Sequence, residues 1–245
     1  ARRIELLKVL EQLRMEEAVK YKGGLYHLTQ IKFAFNSNHI EGSRLTEEQT
    51  RYLYETKTIL ADGEAVRADD IVEAQNHFAL FRYMLKTADK PLSEDMIKTY
   101  HRILKAATTD AQQDWFAVGE YKRLENIVGG IETTPPERVA GEMQRLLASY
   151  LAKQKIVFSD LIDFHYRFEC IHPFQDGNGR VGRMILFKEA LKNNIMPFII
   201  EDAKKAFYYR GLQMYREEPG YLMDTCLDAQ DQYCAWYEKL KFPNR

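Results

Sequence analysis

Residues 172–183 read His-Pro-Phe-Gln-Asp-Gly-Asn-Gly-Arg-Val-Gly-Arg, so an imidazole, a carboxylate, a Gly-Asn-Gly turn and two guanidinium groups share one short stretch. Successive backbone N–H groups in such a turn form a concave anion nest. The helix that follows the turn directs its positive dipole end at the same point. Arg180 and Arg183 are three apart and share a helix face, so they can hold separate phosphoryl oxygens. Asp176 is a hard oxygen ligand suited to Mg²⁺. His172, with an ordinary pKa of about 6.5, suits a general base near neutral pH. Base, metal ligand, nest and cationic clamps are the parts that transfer at a phosphate centre requires. The Gly177-Asn178-Gly179 turn has no Walker lysine after it, so this is not a P-loop.

The same letters also admit simpler readings. Asp-Gly-Asn-Gly is good turn chemistry, because Gly and Asn tolerate positive φ. A plain corner between helices could use it, with His172 capped or half-buried. A calcium loop with Asp176 at its third position would put Phe174 at the first and Ile185 at the twelfth, where an oxygen ligand and a bidentate glutamate are needed. Both positions fail. His165, Cys170 and His172 match no common zinc spacing, and no second cluster completes four ligands.

The elements that must position this stretch are helical. Ile4, Leu7, Leu10 and Leu13 recur at spacing three, and Gly23-Gly24 then interrupts. A second helix is predicted over about 25–41, stopped by Gly42. Thr46 and Gln49 form a capping-box signature opening a helix over about 47–60. Ile71, Ala74, Phe78, Phe81 and Leu85 mark another helix, and Ser93 is the N-cap of the next. Between about 115 and 134 the texture changes, and glycines at 119, 129 and 130 predict a short hairpin or flap with Gly129-Gly130 near its tip. Pro135 and Pro136 open a helix, and Ser159-Asp160 cap the one that leads into His172. A further helix follows Arg180 and ends at Asn193-Asn194, and two more fill about 202–240. The expected fold is all-α with one small β-hairpin. It divides into an N-terminal helical region, 1–60, and a catalytic region, 61–245.

Composition narrows the function classes. Of 245 residues, 45% are apolar, enough for a sizeable core, and the formal net charge is -1 with a pI near 6.7. Such a chain has no polycation character, so nucleic-acid binding is not expected. The cysteines (Cys170, Cys226, Cys234) form no CxxC pair and are odd in number, which favours a reducing compartment. The opening ARRIELLKVLEQLRMEE is charged and amphipathic rather than a signal peptide, and no run approaches the roughly 18–20 apolar residues of a membrane span. A soluble, cytoplasmic protein is expected.

HPFQDGNGRVGR resembles in full the signature of the Fic family, His-Pro-Phe-x-Asp/Glu-Gly-Asn-Gly-Arg-x-x-Arg, with the resemblance extending over about 60–220. Most characterised proteins with this signature are protein adenylyltransferases. The resemblance therefore implies that His172 deprotonates a target hydroxyl, which attacks the α-phosphate of ATP. It implies that Asp176 holds Mg²⁺, that Asn178 and the backbone of Gly177 and Gly179 cradle phosphates, and that Arg180 and Arg183 bind the β/γ end. Ser37 to Gly42, Ser-Asn-His-Ile-Glu-Gly, is similar to the family's inhibitory-helix pattern Ser/Thr-x-x-x-Glu-Gly/Asn, although alone it reads as a solvated glutamate with a C-cap glycine. The implied consequence is autoinhibition, with Glu41 pairing with Arg183 and denying ATP its γ-phosphate clamp.

The flap, about 120–131, resembles the family's docking hairpin, which adds a target segment as a strand. Tyr209, with Tyr208 beside it, stands where related proteins place an adenine-contacting tyrosine. Position 216 is Arg where some relatives have asparagine. The implied partners are ATP, a target protein bearing a Ser, Thr or Tyr hydroxyl, the chain itself as target, and a second copy in a homodimer. Another nucleotide or phosphodiester donor, removal of AMP, and a non-catalytic interaction module are the competing functions.

Overall fold

Helix punctuation decides most of the architecture. The computed structural model describes residues 2–128 and 131–242, and among them the chain forms ten α-helices and one two-stranded hairpin. In order they are α1 (Arg2–Ala18), α2 (Leu25–Ile40), α3 (Glu47–Thr56), α4 (Ala68–Lys86), α5 (Glu94–Lys105), β1 (Ile127–Val128), β2 (Ile131–Glu132), α6 (Pro136–Leu151), α7 (Phe158–Ile171), α8 (Asn178–Lys192), α9 (Lys205–Gln213) and α10 (Pro219–Leu240). The all-α class with a small hairpin is as the periodicity predicts. Gly129 and Gly130, expected near the flap tip, lie outside the described residues.

Capping chemistry sets the helix starts. Thr46 accepts the N–H of Gln49 at 3.0 Å while Gln49 accepts that of Thr46 at 3.0 Å, closing the expected capping box. Ser93 accepts from the Met96 N–H at 3.2 Å. Three boundaries differ from expectation. α3 stops at Thr56 rather than near 60, because Lys57 turns left-handed at φ 59. α7 begins at Phe158, so Asp160 acts from the third helical position, accepting the Val157 N–H at 2.9 Å. α8 begins at Asn178, two residues before Arg180.

The centre of the fold is α8. Every residue from Asn178 to Leu191 is buried, including Arg180, Arg183, Lys188 and Glu189. Apolar neighbours close around it: Phe187 packs on Phe33 of α2 at 5.3 Å between ring centroids and on Phe81 of α4 at 5.4 Å. The N-terminal helices thus share one core with the rest of the chain. A helix that buries four charged side chains must find partners for them, since an unpaired buried charge costs several kcal/mol. Toward its C-terminal end Lys188 pairs with Glu189 at 2.6 Å, Glu189 also accepts from Tyr150 Oη at 2.8 Å, and Lys188 donates to the Lys90 carbonyl. At its N-terminal end the two arginines draw carboxylates from other helices, and that is where the site forms.

Candidate active site

α7 ends at Ile171, and His172 follows as its C-cap in the left-handed region, φ 51, with its N–H donating to the Phe168 carbonyl at 2.9 Å. That turn swings the chain off the helix and sets the imidazole at the mouth of the loop. The loop is then closed on itself by Asn178. Its Oδ1 accepts the Phe174 N–H at 2.8 Å and its Nδ2 donates to the Phe174 carbonyl at 2.7 Å. The Asn178 side chain is therefore committed to shaping the turn. Phe174 is buried and stacks on His101 of α5 at 4.0 Å and 6°. His101 in turn donates from Nε2 to the Asp176 carbonyl at 2.9 Å and accepts the Gly119 N–H at Nδ1, 2.9 Å. Gly177 takes φ 87, a conformation that favours glycine, and α8 starts on the next residue.

Asp176 projects its carboxylate between two cations. Oδ2 accepts from Lys105 Nζ at 2.7 Å and from Arg180 Nη2 at 3.2 Å. Burial works against its ionisation, but Arg180 and Lys105 outweigh that and hold the carboxyl down at about 2. Its side chain keeps 48% exposure, so an ionised hard oxygen donor faces the opening. Mg²⁺ bound through one or two carboxylates, phosphates and water requires no more from protein than this. Arg180 is clamped further by Glu73 of α4, which also accepts from Lys105 at 3.1 Å, and by Asn38 Oδ1 at 3.4 Å.

Arg183 lies against the end of α2. Its Nε donates to Ser37 Oγ at 3.0 Å, and its Nη2 donates to the Ser37 carbonyl at 3.1 Å and to Glu41 Oε1 at 2.6 Å. Burial opposes the guanidinium's charge, but the Glu41 carboxylate more than offsets it and keeps Arg183 cationic. Sequence reasoning pairs Glu41 with Arg183, and the fold brings them into contact. Gly179 explains how close this contact comes. A Cβ there would collide with Glu41 Oε1 and stand 2.8 Å from Arg183 Nη1. The Glu41 carboxylate thus sits over the backbone of the nest, in space that only glycine leaves open to an anion.

The tyrosines divide their roles. Tyr208 is buried behind Arg183, its ring 5.7 Å from the guanidinium carbon, with Oη bonded to His165 Nε2 at 2.6 Å. Tyr209 is half-buried, 5.6 Å from the Tyr208 ring, and donates to the Ile40 carbonyl at 3.4 Å.

The hairpin pairs Ile127 with Glu132 and Val128 with Ile131 in antiparallel register, ending one residue past the predicted span. Its base is fastened to the catalytic loop. The Lys122 N–H donates to the Pro173 carbonyl at 2.8 Å, Asn126 Nδ2 to the Phe174 carbonyl at 3.0 Å, and the Leu124 N–H to Gln175 Oε1 at 3.1 Å. Lys122 Nζ donates to Asn126 Oδ1 at 2.7 Å and Thr133 Oγ1 at 2.8 Å, and burial lowers this ammonium to about 8. His172 is lowered to about 4, first by burial and then by Lys122, so its imidazole is neutral at neutral pH, with one ring nitrogen free to accept a proton.

Lys105, Glu73 and Lys122 are among the residues of the site that sequence reasoning missed. Each stands among ordinary charged positions of a helix or loop, with no local signal that separates it from a solvated side chain. Among the described residues no cluster of three or more His, Cys, Asp or Glu could hold a metal ion by itself, and no helix is long and apolar enough to cross a membrane.

Residues 91–189 match the Fic/DOC family. The chain is 28% identical over 194 residues to "Protein adenylyltransferase Fic" of Culex quinquefasciatus, covering 76% of this chain and 37% of the relative. It is 25% identical over 193 residues to "Protein adenylyltransferase fic-1" of Caenorhabditis elegans, covering 76% and 36%. The chain thus spans a little over a third of the length of these curated relatives. Among solved structures, a Fic domain-containing signaling protein from Bacteroides thetaiotaomicron VPI-5482 aligns with TM-score 0.71 at 24% identity, over 98% of this chain and 91% of that one. A Fic family protein from Desulfovibrio desulfuricans G20 aligns with TM-score 0.70 at 21% identity, over 100% and 76%. These two likenesses concern the fold.

Proposed function

We propose that this chain, whose residues 91–189 match the Fic/DOC family, is a protein adenylyltransferase, moving AMP from ATP to a side-chain hydroxyl of a protein, the chain itself included. The observation that carries this reading is the setting of His172 and the Gly177–Gly179 nest across one closed turn, with Arg180 and Arg183 in the first turns of α8. A neutral imidazole, with one ring nitrogen unprotonated, is available to take the hydroxyl proton. As that proton moves to His172, the hydroxyl oxygen forms a bond to the α-phosphorus. The bond from the α-phosphorus to the bridging oxygen breaks, and pyrophosphate leaves. The nest amides and the α8 dipole face the negative charge that builds on the phosphoryl oxygens. Asp176 would hold Mg²⁺, which when bound neutralises phosphate charge. Ser37, Glu41 and the end of α2 form the regulatory part. With Glu41 on Arg183, the clamp for the terminal phosphate is occupied and a carboxylate lies over Gly179. ATP then meets like charge where its phosphates must seat.

The test is transfer itself. Incubating the wild type and Glu41→Gly with ATP and Mg²⁺, followed by intact-mass measurement, is expected to show a gain of AMP that is about tenfold or more faster in Glu41→Gly. Adding His172→Ala to that variant should slow transfer about 10²- to 10⁴-fold. No transfer by Glu41→Gly to itself or to any protein of a cell extract would remove the reading.

A further inference from the structure

One largely buried carboxyl group beside the base has no part in the reaction as described. Glu169 lies one turn before His172 on α7, and its Oε2 stands 3.9 Å from His172 Nδ1. Both Glu169 Oε1 and His172 Nδ1 are buried without a hydrogen-bond partner among the described residues. Glu169 Oε1 and His172 Nδ1 each lack a bond whose formation would recover free energy, and the carboxyl's other oxygen, Oε2, is the one that stands nearer Nδ1. The surroundings are built to admit the carboxyl. A Cβ on Gly182 would stand 2.7 Å from Glu169 Oε1 and 3.1 Å from the His165 ring, so this glycine between the two motif arginines makes the space.

We propose that Glu169 is a positioning residue for His172, accepting the Nδ1–H so that Nε2 stays proton-free and aimed at the incoming hydroxyl. This rests on the transfer reaction proposed above. Closing the gap takes about 1 Å, and bonds of this kind often run long before substrate binds. The charges around the pair favour the same outcome. His172 faces Lys122 across the flap base and Glu41 and Asp176 across the site. Glu169 is raised to about 8 by burial, with Arg183 pulling it down and Glu41 pushing it up. Departure of Glu41 from Arg183 removes the opposing carboxylate and leaves the guanidinium facing Glu169, which makes Glu169 a better acceptor. Release of the inhibitory helix would then free the phosphate clamp and orient the base in one event. The Glu169 backbone carbonyl also faces the imidazole, so the side chain's contribution has to be separated from it.

Side-chain variants leave that carbonyl in place. In the Glu41→Gly protein, ¹⁵N spectra of labelled histidines, with His172 assigned by its loss in His172→Gln, report which ring nitrogen carries the proton. The parent is expected to carry it on Nδ1. Glu169→Met keeps the buried volume without the acceptor and should shift His172 toward the Nε2–H form. It should also lower kcat for AMP transfer about tenfold with KM for ATP within about twofold. Glu169→Gln, whose carbonyl oxygen accepts the same proton, should recover part of both. An Nε2–H tautomer in the parent, or a Met variant with the parent's tautomer and kcat, overturns the proposal. Absence of transfer in every variant would sink the reaction, while the tautomer spectra would still decide the role of Glu169.

Discussion

Gly179 faces two opposite charges at once, the Glu41 carboxylate and the Arg183 guanidinium. On the proposed reading, inhibition by Glu41 and nucleotide binding compete for the volume at this one residue. A methyl group here would push Glu41 away, yet it would also fill the cradle that phosphates need. Gly179→Ala should therefore not mimic Glu41→Gly. Added to Glu41→Gly, it is expected to weaken ATP binding by about tenfold or more, read by calorimetric titration. Unchanged affinity would mean that the phosphates do not seat over Gly179. The same reasoning explains why Arg183 accepts a carboxylate so readily. A guanidinium buried at the start of a buried helix must be paired, and Glu41 satisfies it.

The hairpin is the element that the proposed reading assigns to target docking. Ile127 is 70% exposed, consistent with an edge left open for a partner strand. Its base does not swing freely, because Lys122, Leu124 and Asn126 are each bonded to the loop that carries His172. Asn126 is central, donating to Phe174 while its own Oδ1 accepts from Lys122 and Thr133. Asn126→Ala should loosen this base at a cost of about 1–2 kcal/mol locally. Hydrogen exchange across residues 122–133 is expected to quicken, with ATP binding unaltered. Equal exchange in the two proteins would show that the fastening does not hold the flap.

Across the whole molecule, four histidines are kept neutral by burial. His77 and His165 are lowered from 6.5 to about 3, and His101 and His172 to about 4, with burial the leading cause each time. The unfolded chain takes up these protons near pH 6.5 and the folded chain only at 3–4. Their contribution is therefore intact above about pH 6.5 and is lost as pH falls toward 4. Glu169 acts in the opposite sense, since its folded form holds a proton up to about 8 against an ordinary 4.5. Four groups outweigh one, so urea denaturation should show a net loss of more than about 2 kcal/mol between pH 7.5 and 5. A midpoint that rises on acidification would contradict this balance.

Residue types and local spacing were enough to single out His172 to Arg183 as the candidate site, because the imidazole, the Gly-Asn-Gly turn and the two arginines lie within one turn and the start of one helix. The same local physics placed most helices. It missed by a few residues where a left-handed Lys57 or a carboxylate at Asp160 decided the boundary. The partners of the arginines were a different matter. Glu41 was legible only through a motif with a known counterpart, and Glu73, Lys105, Lys122 and Glu169 were not legible at all. A glutamate or lysine on a helix or in a loop has the same local signature whether it meets water or a buried charge. Only the packing of α2, α4, α5 and α7 around α8 turned those residues toward the site, since burying the charged start of α8 required counter-charges from whichever helices closed over it.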